Sequence, residues 1–214
     1  MIKLDIGPIA PSRKTLKKGI EFNIMVVGES GLGKTTLINT LLNTNMRSSL
    51  SNHKELEKTV TIEVNTLELE ERGSKIRLSI IDTPGFGNSL NNSNAIEPLV
   101  TYIDSQLANY FQDEIGLNRR SLVDNRVHIC LYFIEPMHRG LKPLDIKFMQ
   151  AVQNKVNVFP LLAKADAYTN QELIDMKRQV IKDLSSHEIK IYEFPECDSD
   201  DDPDFVKINE EMKV

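Results

Sequence analysis

Only two cysteines and no tryptophan occur in these 214 residues. Cys130 lies in an apolar run and Cys197 in an acidic one, so no disulfide is expected and the pattern fits a reducing compartment. No apolar stretch reaches the roughly 20 residues that a membrane-crossing helix requires. That excludes a helical span within the sequence and leaves peripheral membrane contact as the expected kind. No internal repeat is visible. The formal net charge is -5, and no nucleic-acid partner is expected. The charge is unevenly placed. Arg13, Lys14, Lys17 and Lys18 crowd one end, and Asp198, Asp200, Asp201, Asp202 and Asp204 the other. What remains is an ordinary balance of apolar and charged residues, in a chain long enough for one buried α/β core.

Against that background one segment stands out: Gly28-Glu29-Ser30-Gly31-Leu32-Gly33-Lys34-Thr35. It is a complete phosphate-binding loop, preceded by an apolar strand-like run over 22–27 and followed by a helix-compatible stretch over 36–42. The glycines let backbone N–H groups converge on phosphate oxygens, and the helix adds its positive end. Lys34 suits the β and γ phosphates, and the Thr35 hydroxyl suits Mg²⁺.

Strand and helix patterns alternate along the rest of the chain. Residues 62–69 and 75–81 alternate apolar with polar on either side of Glu71-Arg72-Gly73-Ser74, which predicts an antiparallel hairpin. Residues 127–134 and 156–163 are nearly continuous apolar runs, as buried parallel strands require. Helical spacing covers 144–152 and 171–184, the second with Thr169 as its N-cap. Residues 43–52 are polar and unpatterned, and the expectation there is a mobile loop. This order predicts a mostly parallel sheet with helices on both faces and a ligand at the carboxyl ends of its strands.

Two further motifs sit at such ends. Asp82-Thr83-Pro84-Gly85 closes the strand that starts near Lys75; its carboxylate can hold Mg²⁺ through water, and the Gly85 N–H can sense a γ-phosphate. Ala163-Lys164-Ala165-Asp166 follows a buried strand. A carboxylate at Asp166 can accept from both N1–H and the exocyclic amine of guanine, a donor pair adenine lacks, while the Lys164 stem packs on the base. The Asn that usually leads this guanine motif is absent. By the residues alone, an assembly subunit, a monomeric switch GTPase and an ATPase or kinase all stay open.

Together these motifs resemble the septin family. The resemblance extends to Gly116-Leu117-Asn118-Arg119-Arg120, Asp124-Asn125-Arg126-Val127-His128, Gly140-Leu141-Lys142-Pro143-Leu144-Asp145 and Ile189-Lys190-Ile191-Tyr192, so it covers almost the whole chain. It implies a P-loop NTPase G domain, α/β, with one antiparallel edge hairpin on a mostly parallel sheet. It also implies a guanine-nucleotide-binding subunit that forms homo- or hetero-oligomers and filaments with other septins through the nucleotide-side interface. Hydrolysis of GTP to GDP is expected to be slow or absent. Anionic phosphoinositide membranes are expected to meet Arg13, Lys14, Lys17 and Lys18. The implied setting is cytoplasmic and cytoskeletal, peripheral at the inner membrane face or a division site.

Residue by residue, the resemblance implies GTP or GDP contacts from Gly28, Glu29, Ser30, Gly31, Leu32, Gly33, Lys34, Thr35, Thr36, Thr59, Gly85, Lys164, Ala165, Asp166 and Glu172. Mg²⁺ would be held by Thr35, Thr59 and Asp82, and Thr59 and Lys34 would serve catalysis. Thr59 matches the switch threonine of hydrolysis-competent septins, whereas Phe86 stands where Ras-like switches have their water-orienting glutamine. Asn88, Arg139 and Ala167 depart from the common septin residues in loops that face a neighbouring subunit. The expected organisation is a basic segment over 1–19, the G domain over 20–195 and an acidic segment over 196–214. Septin domains continue with a last core strand and a Trp-Gly signature that this chain lacks, which predicts exposed apolar surface and an open sheet edge.

Overall fold

The computed structural model describes residues 19–46, 62–71, 74–86, 93–116, 123–136, 140–193 and 206. In chain order these form β1 (Ile20–Gly28), α1 (Lys34–Met46), β2 (Glu63–Glu71), β3 (Ser74–Asp82), α2 (Ser93–Ile115), β4 (Ile129–Ile134), α3 (Pro143–Val152), β5 (Asn157–Leu162), a 3₁₀ turn (Ala165–Ala167) and α4 (Asn170–Ser186). The five strands lie in the order β2-β3-β1-β4-β5. β1 pairs in parallel with β3 and β4, and β4 with β5, while β2 runs antiparallel to β3 as the edge hairpin.

Strand geometry explains why the central runs are apolar throughout. Successive side chains point to opposite faces, so a strand covered on both sides can place no residue in water. Met25 and Val27 join one core with Ile81, Cys130 and Tyr132, closed by Ile96, Leu99 and Ile103 of α2 and Phe148, Met149 and Val152 of α3. Val26 joins the other core with Leu78, Ile80 and Phe133, closed by Ile38 of α1. β2 needs only one buried side and alternates accordingly, with Leu67 inside and Glu68 outside.

One sequence expectation needs correction. Residues 43–46 of the expected mobile loop belong to α1, which propagates past its apolar stretch once its first turn is nucleated; the remaining residues, 47–52, lie outside the described ones. α2 has no counterpart among the sequence expectations, and it runs through Pro98 without a break.

The amino end of β1 is tied down by polar groups. The Asn23 amide donates to the carbonyls of Asp124 (2.7 Å) and Arg126 (2.8 Å), and the Asn23 N–H to His128 Nδ1 (2.9 Å). Arg126 forks onto both Asp124 oxygens at 2.9 and 2.7 Å and lies 3.7 Å over the Tyr110 ring. The His128 ring stacks on Phe22, and the Asp124 N–H donates to Glu21. At the far side, β5 is the outer strand among the described residues. A groove of about 780 Å³ runs between it and α4, lined by Phe159, Leu161, Leu173, Val180 and Tyr192.

Candidate functional site

The phosphate loop joins β1 to α1 at the carboxyl end of the sheet. Gly31 and Gly33 take φ of +81° and +89°, where a Cβ would strain the backbone although it would meet none of the described residues. Lys34 is 6 % exposed, and its Nζ donates to the carbonyls of Gly28 at 2.9 Å and Glu29 at 2.7 Å. Burial lowers its pKa against the pull of the Asp82 and Glu29 charges. A cation seated this way, with water largely excluded, is prepared for an anion that completes its shell.

The end of β3 closes the other side. The Thr35 hydroxyl donates to Asp82 Oδ2 at 2.9 Å, and Asp82 is itself buried. The Thr83 hydroxyl donates to the Val26 carbonyl at 2.7 Å, which fixes β3 against β1 at the point where both end. Gly85 is pressed against the loop: a Cβ there would come within 2.6 Å of Ser30 Cα and 3.0 Å of Lys34 Nζ. The Ser30 N–H donates to the Phe86 carbonyl at 3.0 Å, and Glu29 and Phe86 form an isolated parallel bridge. Phe86 is buried, with its ring near Tyr132 and Phe148 at centroid distances of 6.1 and 6.2 Å. A hydroxyl and a carboxylate side by side, next to a buried lysine, form a hard-oxygen donor pair that suits Mg²⁺ held partly by phosphate. Leu32 is buried in the second core, and Thr36 is exposed on the first turn of α1.

The segment after β5 is built differently. Ala163 N–H donates to Ile134 O at 2.9 Å, holding the segment to β4. Lys164 takes a left-handed conformation (φ 51°), and Lys164, Ala165, Asp166 and Ala167 are all exposed. Thr169 caps α4 in a reciprocal box with Glu172, whose carboxylate accepts from the Thr169 N–H at 2.9 Å and hydroxyl at 2.8 Å. The Glu172 carboxylate is therefore engaged in the cap. Thr59, Asn88, Arg139, Cys197 and the basic residues Arg13, Lys14, Lys17 and Lys18 lie outside the described residues. Cys130 is buried and free, and burial pushes its thiol up to about 12, so it is chemically quiet.

Sequence reasoning assigned no role to Lys142. Its Nζ reaches Glu29 Oε2 at 2.7 Å and Glu135 Oε2 at 2.5 Å. No periodicity announces a contact between residues 113 positions apart.

Comparison with known proteins gives a consistent result. The family model described as Septin matches residues 18–214. Septin-1 of Drosophila melanogaster is 48 % identical over 94 % of this chain and 56 % of its own length. Septin-2B of Xenopus tropicalis is 51 % identical over 90 % of the chain and 55 % of its own. The chain thus spans about half the length of these relatives. Among solved structures, Cdc11 from Saccharomyces cerevisiae superposes with a TM-score of 0.64 at 32 % identity, covering 91 % of this chain and 75 % of that one. A septin GTPase domain from Chlamydomonas reinhardtii gives 0.61 at 26 % identity, covering 82 % and 66 %.

Proposed function

The chain belongs to the septin family, and from that premise we propose that it is a guanine-nucleotide-binding subunit that assembles with other septins into oligomers and filaments. The observation that carries the nucleotide site is the seat of Lys34: a buried ammonium on two loop carbonyls, in a loop with Gly31 and Gly33 at positive φ and next to the Thr35–Asp82 pair. Loop amides and Lys34 hold the phosphates, and Asp166 pairs with the guanine edge with Lys164 beside the base. Thr35, Asp82 and Thr59 would hold Mg²⁺, which supplies neutralising charge at the β and γ phosphates when bound.

Hydrolysis is slow in this reading. The side chain after Gly85 is a buried phenylalanine, which offers an attacking water neither acceptor nor donor. Thr59 gates the γ-phosphate. The loops containing Asn88, Arg139 and Ala167 tune the partner across the nucleotide. Arg13, Lys14, Lys17 and Lys18 supply contact with phosphoinositide headgroups worth at most about 4 kcal/mol per subunit, which assembly multiplies. No nucleic-acid partner enters this reading. Its setting is the cytoplasm and its cytoskeleton, at the inner membrane face or a division site.

The deciding experiment is to release and identify the nucleotide carried by purified protein, then titrate labelled GTP against unlabelled ATP. Guanine nucleotide with weak ATP competition supports the reading, and Asp166→Asn should then lose guanine selectivity by about 10²-fold. Equal displacement by ATP sinks it. Single-turnover hydrolysis well below about 1 s⁻¹, lower still in Thr59→Ala, completes the test.

A further inference from the structure

The phosphate loop carries a carboxylate of its own. Glu29 is the second residue of the loop; burial lowers the Lys34 pKa, and the Glu29 charge, with that of Asp82, pulls against it. In a loop that accepts phosphates, an unbalanced carboxylate repels the ligand. The balancing charge comes from Lys142, whose Nζ lies between Glu29 and Glu135.

Lys142 is held from several directions. It is the N-cap residue of α3, and its N–H donates to Asp145 Oδ2 at 3.0 Å. Asp145 is buried, and its Oδ1 accepts from the Tyr132 hydroxyl on β4 at 2.7 Å. The preceding Leu141 N–H donates to Asp183 Oδ2 of α4 at 2.8 Å. Gly140 (φ +81°) sits so close to the same carboxylate that a Cβ would overlap it. A hydrogen-bonded path therefore leads from Tyr132 through Asp145 to Lys142 and on to Glu29, whose carbonyl in turn receives Lys34.

We propose that Lys142 is a positioning residue for the phosphate loop. By clamping and neutralising Glu29, it keeps the loop receptive to a polyphosphate and ties the loop's shape to α3 and α4. Two carboxylates against one ammonium leave the group at a net charge of -1; without Lys142 it stands at -2 beside the phosphate seat. The inference rests on the nucleotide reading above.

The test uses the 214-residue chain, with fluorescently labelled GDP as probe and inorganic tripolyphosphate as competitor. Lys142→Met should weaken labelled GDP on the order of ten-fold, with tripolyphosphate weakened in proportion. Lys142→Arg should restore most of the affinity. Adding Glu29→Gln to Lys142→Met should also recover it, because the repelling charge is gone. Wild-type affinity in Lys142→Met overturns the inference, as does a loss that Glu29→Gln leaves unchanged. Should Lys142→Met fail to fold, Glu29→Gln alone decides: it should bind labelled GDP about three-fold tighter, and weaker binding counts against the inference. A wild-type chain that takes up neither labelled GDP nor labelled GTP overturns the nucleotide reading itself, and this inference with it.

Discussion

At the carboxyl end of β1 the polar groups gather around a glycine-rich loop, and at its amino end they tie side chains to one another. Lys34 rests on main-chain carbonyls, and a Cβ at Gly31 or Gly33 would meet none of the described residues. At the opposite end, Asn23, Asp124, Arg126 and His128 use their hydrogen-bonding groups on each other and on the backbone. A buried polar group costs free energy until it finds a partner. The amino end meets that cost within the chain and gains rigidity. The carboxyl end meets it too, but with charged groups: a buried ammonium on two carbonyls beside a hydroxyl and a carboxylate, a set chemically suited to an anion and its metal.

The sharpest way to break this comparison is Lys34→Ala. Nucleotide binding should be lost by more than about 10²-fold, while the ligand-free melting temperature stays within a few degrees, because a desolvated charge is removed along with its contacts. A large drop in ligand-free stability would place Lys34 with the stabilising groups instead. Next in size is Asn23→Ala. It leaves the half-buried Asp124 and Arg126 carbonyls without that donor and should cost about 1–2 kcal/mol by denaturant unfolding. Nucleotide affinity of the folded fraction should not change; if it does, the two ends are not independent.

Asp124 sharpens the comparison through pH. Burial opposes its charged form, but the hydrogen bonds from Arg126 and the charges of His128 and Arg126 outweigh burial and hold it at about 2, against an ordinary 3.8. A carboxyl depressed on folding stabilises the fold above its unfolded value and loses that contribution as pH falls through the folded one. Wild-type stability should therefore decline between about pH 4 and pH 2, and Asp124→Asn should decline less steeply there. Parallel curves from the two proteins would remove Asp124 as the cause. The smallest effect belongs to Thr169→Ala, which strips the cap of α4 next to the exposed Lys164–Asp166 segment. About 1 kcal/mol, or a fall of roughly 2–4 °C, is expected in a thermal melt. No fall at all would mean that Glu172 holds the cap alone.

What could be read from sequence was what is local. The phosphate loop is eight consecutive residues, the hairpin turn is four, and the Thr169–Glu172 box spans one helical turn, so each declares itself in a short window. The fold class followed from those windows in order. α2 escaped although Ile96, Leu99 and Ile103 keep helical spacing, because Pro98 inside the segment is a poor helix signal. The amino-end network escaped for another reason. Asn23 meets its partners across more than 100 residues, and no periodicity encodes which polar groups will meet after folding. The guanine reading of Asp166 rested on its motif at a strand end, strengthened by family likeness, whereas the role of Thr59 came from the likeness alone.

The Phe86 anchor bears on timing. In a nucleotide switch, the segment after the metal-side carboxylate swings between states within microseconds to milliseconds. Here that segment is pinned twice before it can begin to swing: its backbone bridges Glu29 and Ser30, and its first aromatic ring is buried against the stacked pair Tyr132 and Phe148. Withdrawing that ring would expose a side chain whose burial is worth roughly 1.5–3 kcal/mol, besides breaking the bridge. Residues up to Phe86 should therefore keep one conformation whether the site holds a di- or a triphosphate. Amide exchange at Ser30, whose N–H donates to the Phe86 carbonyl, should then be slow and the same in both states.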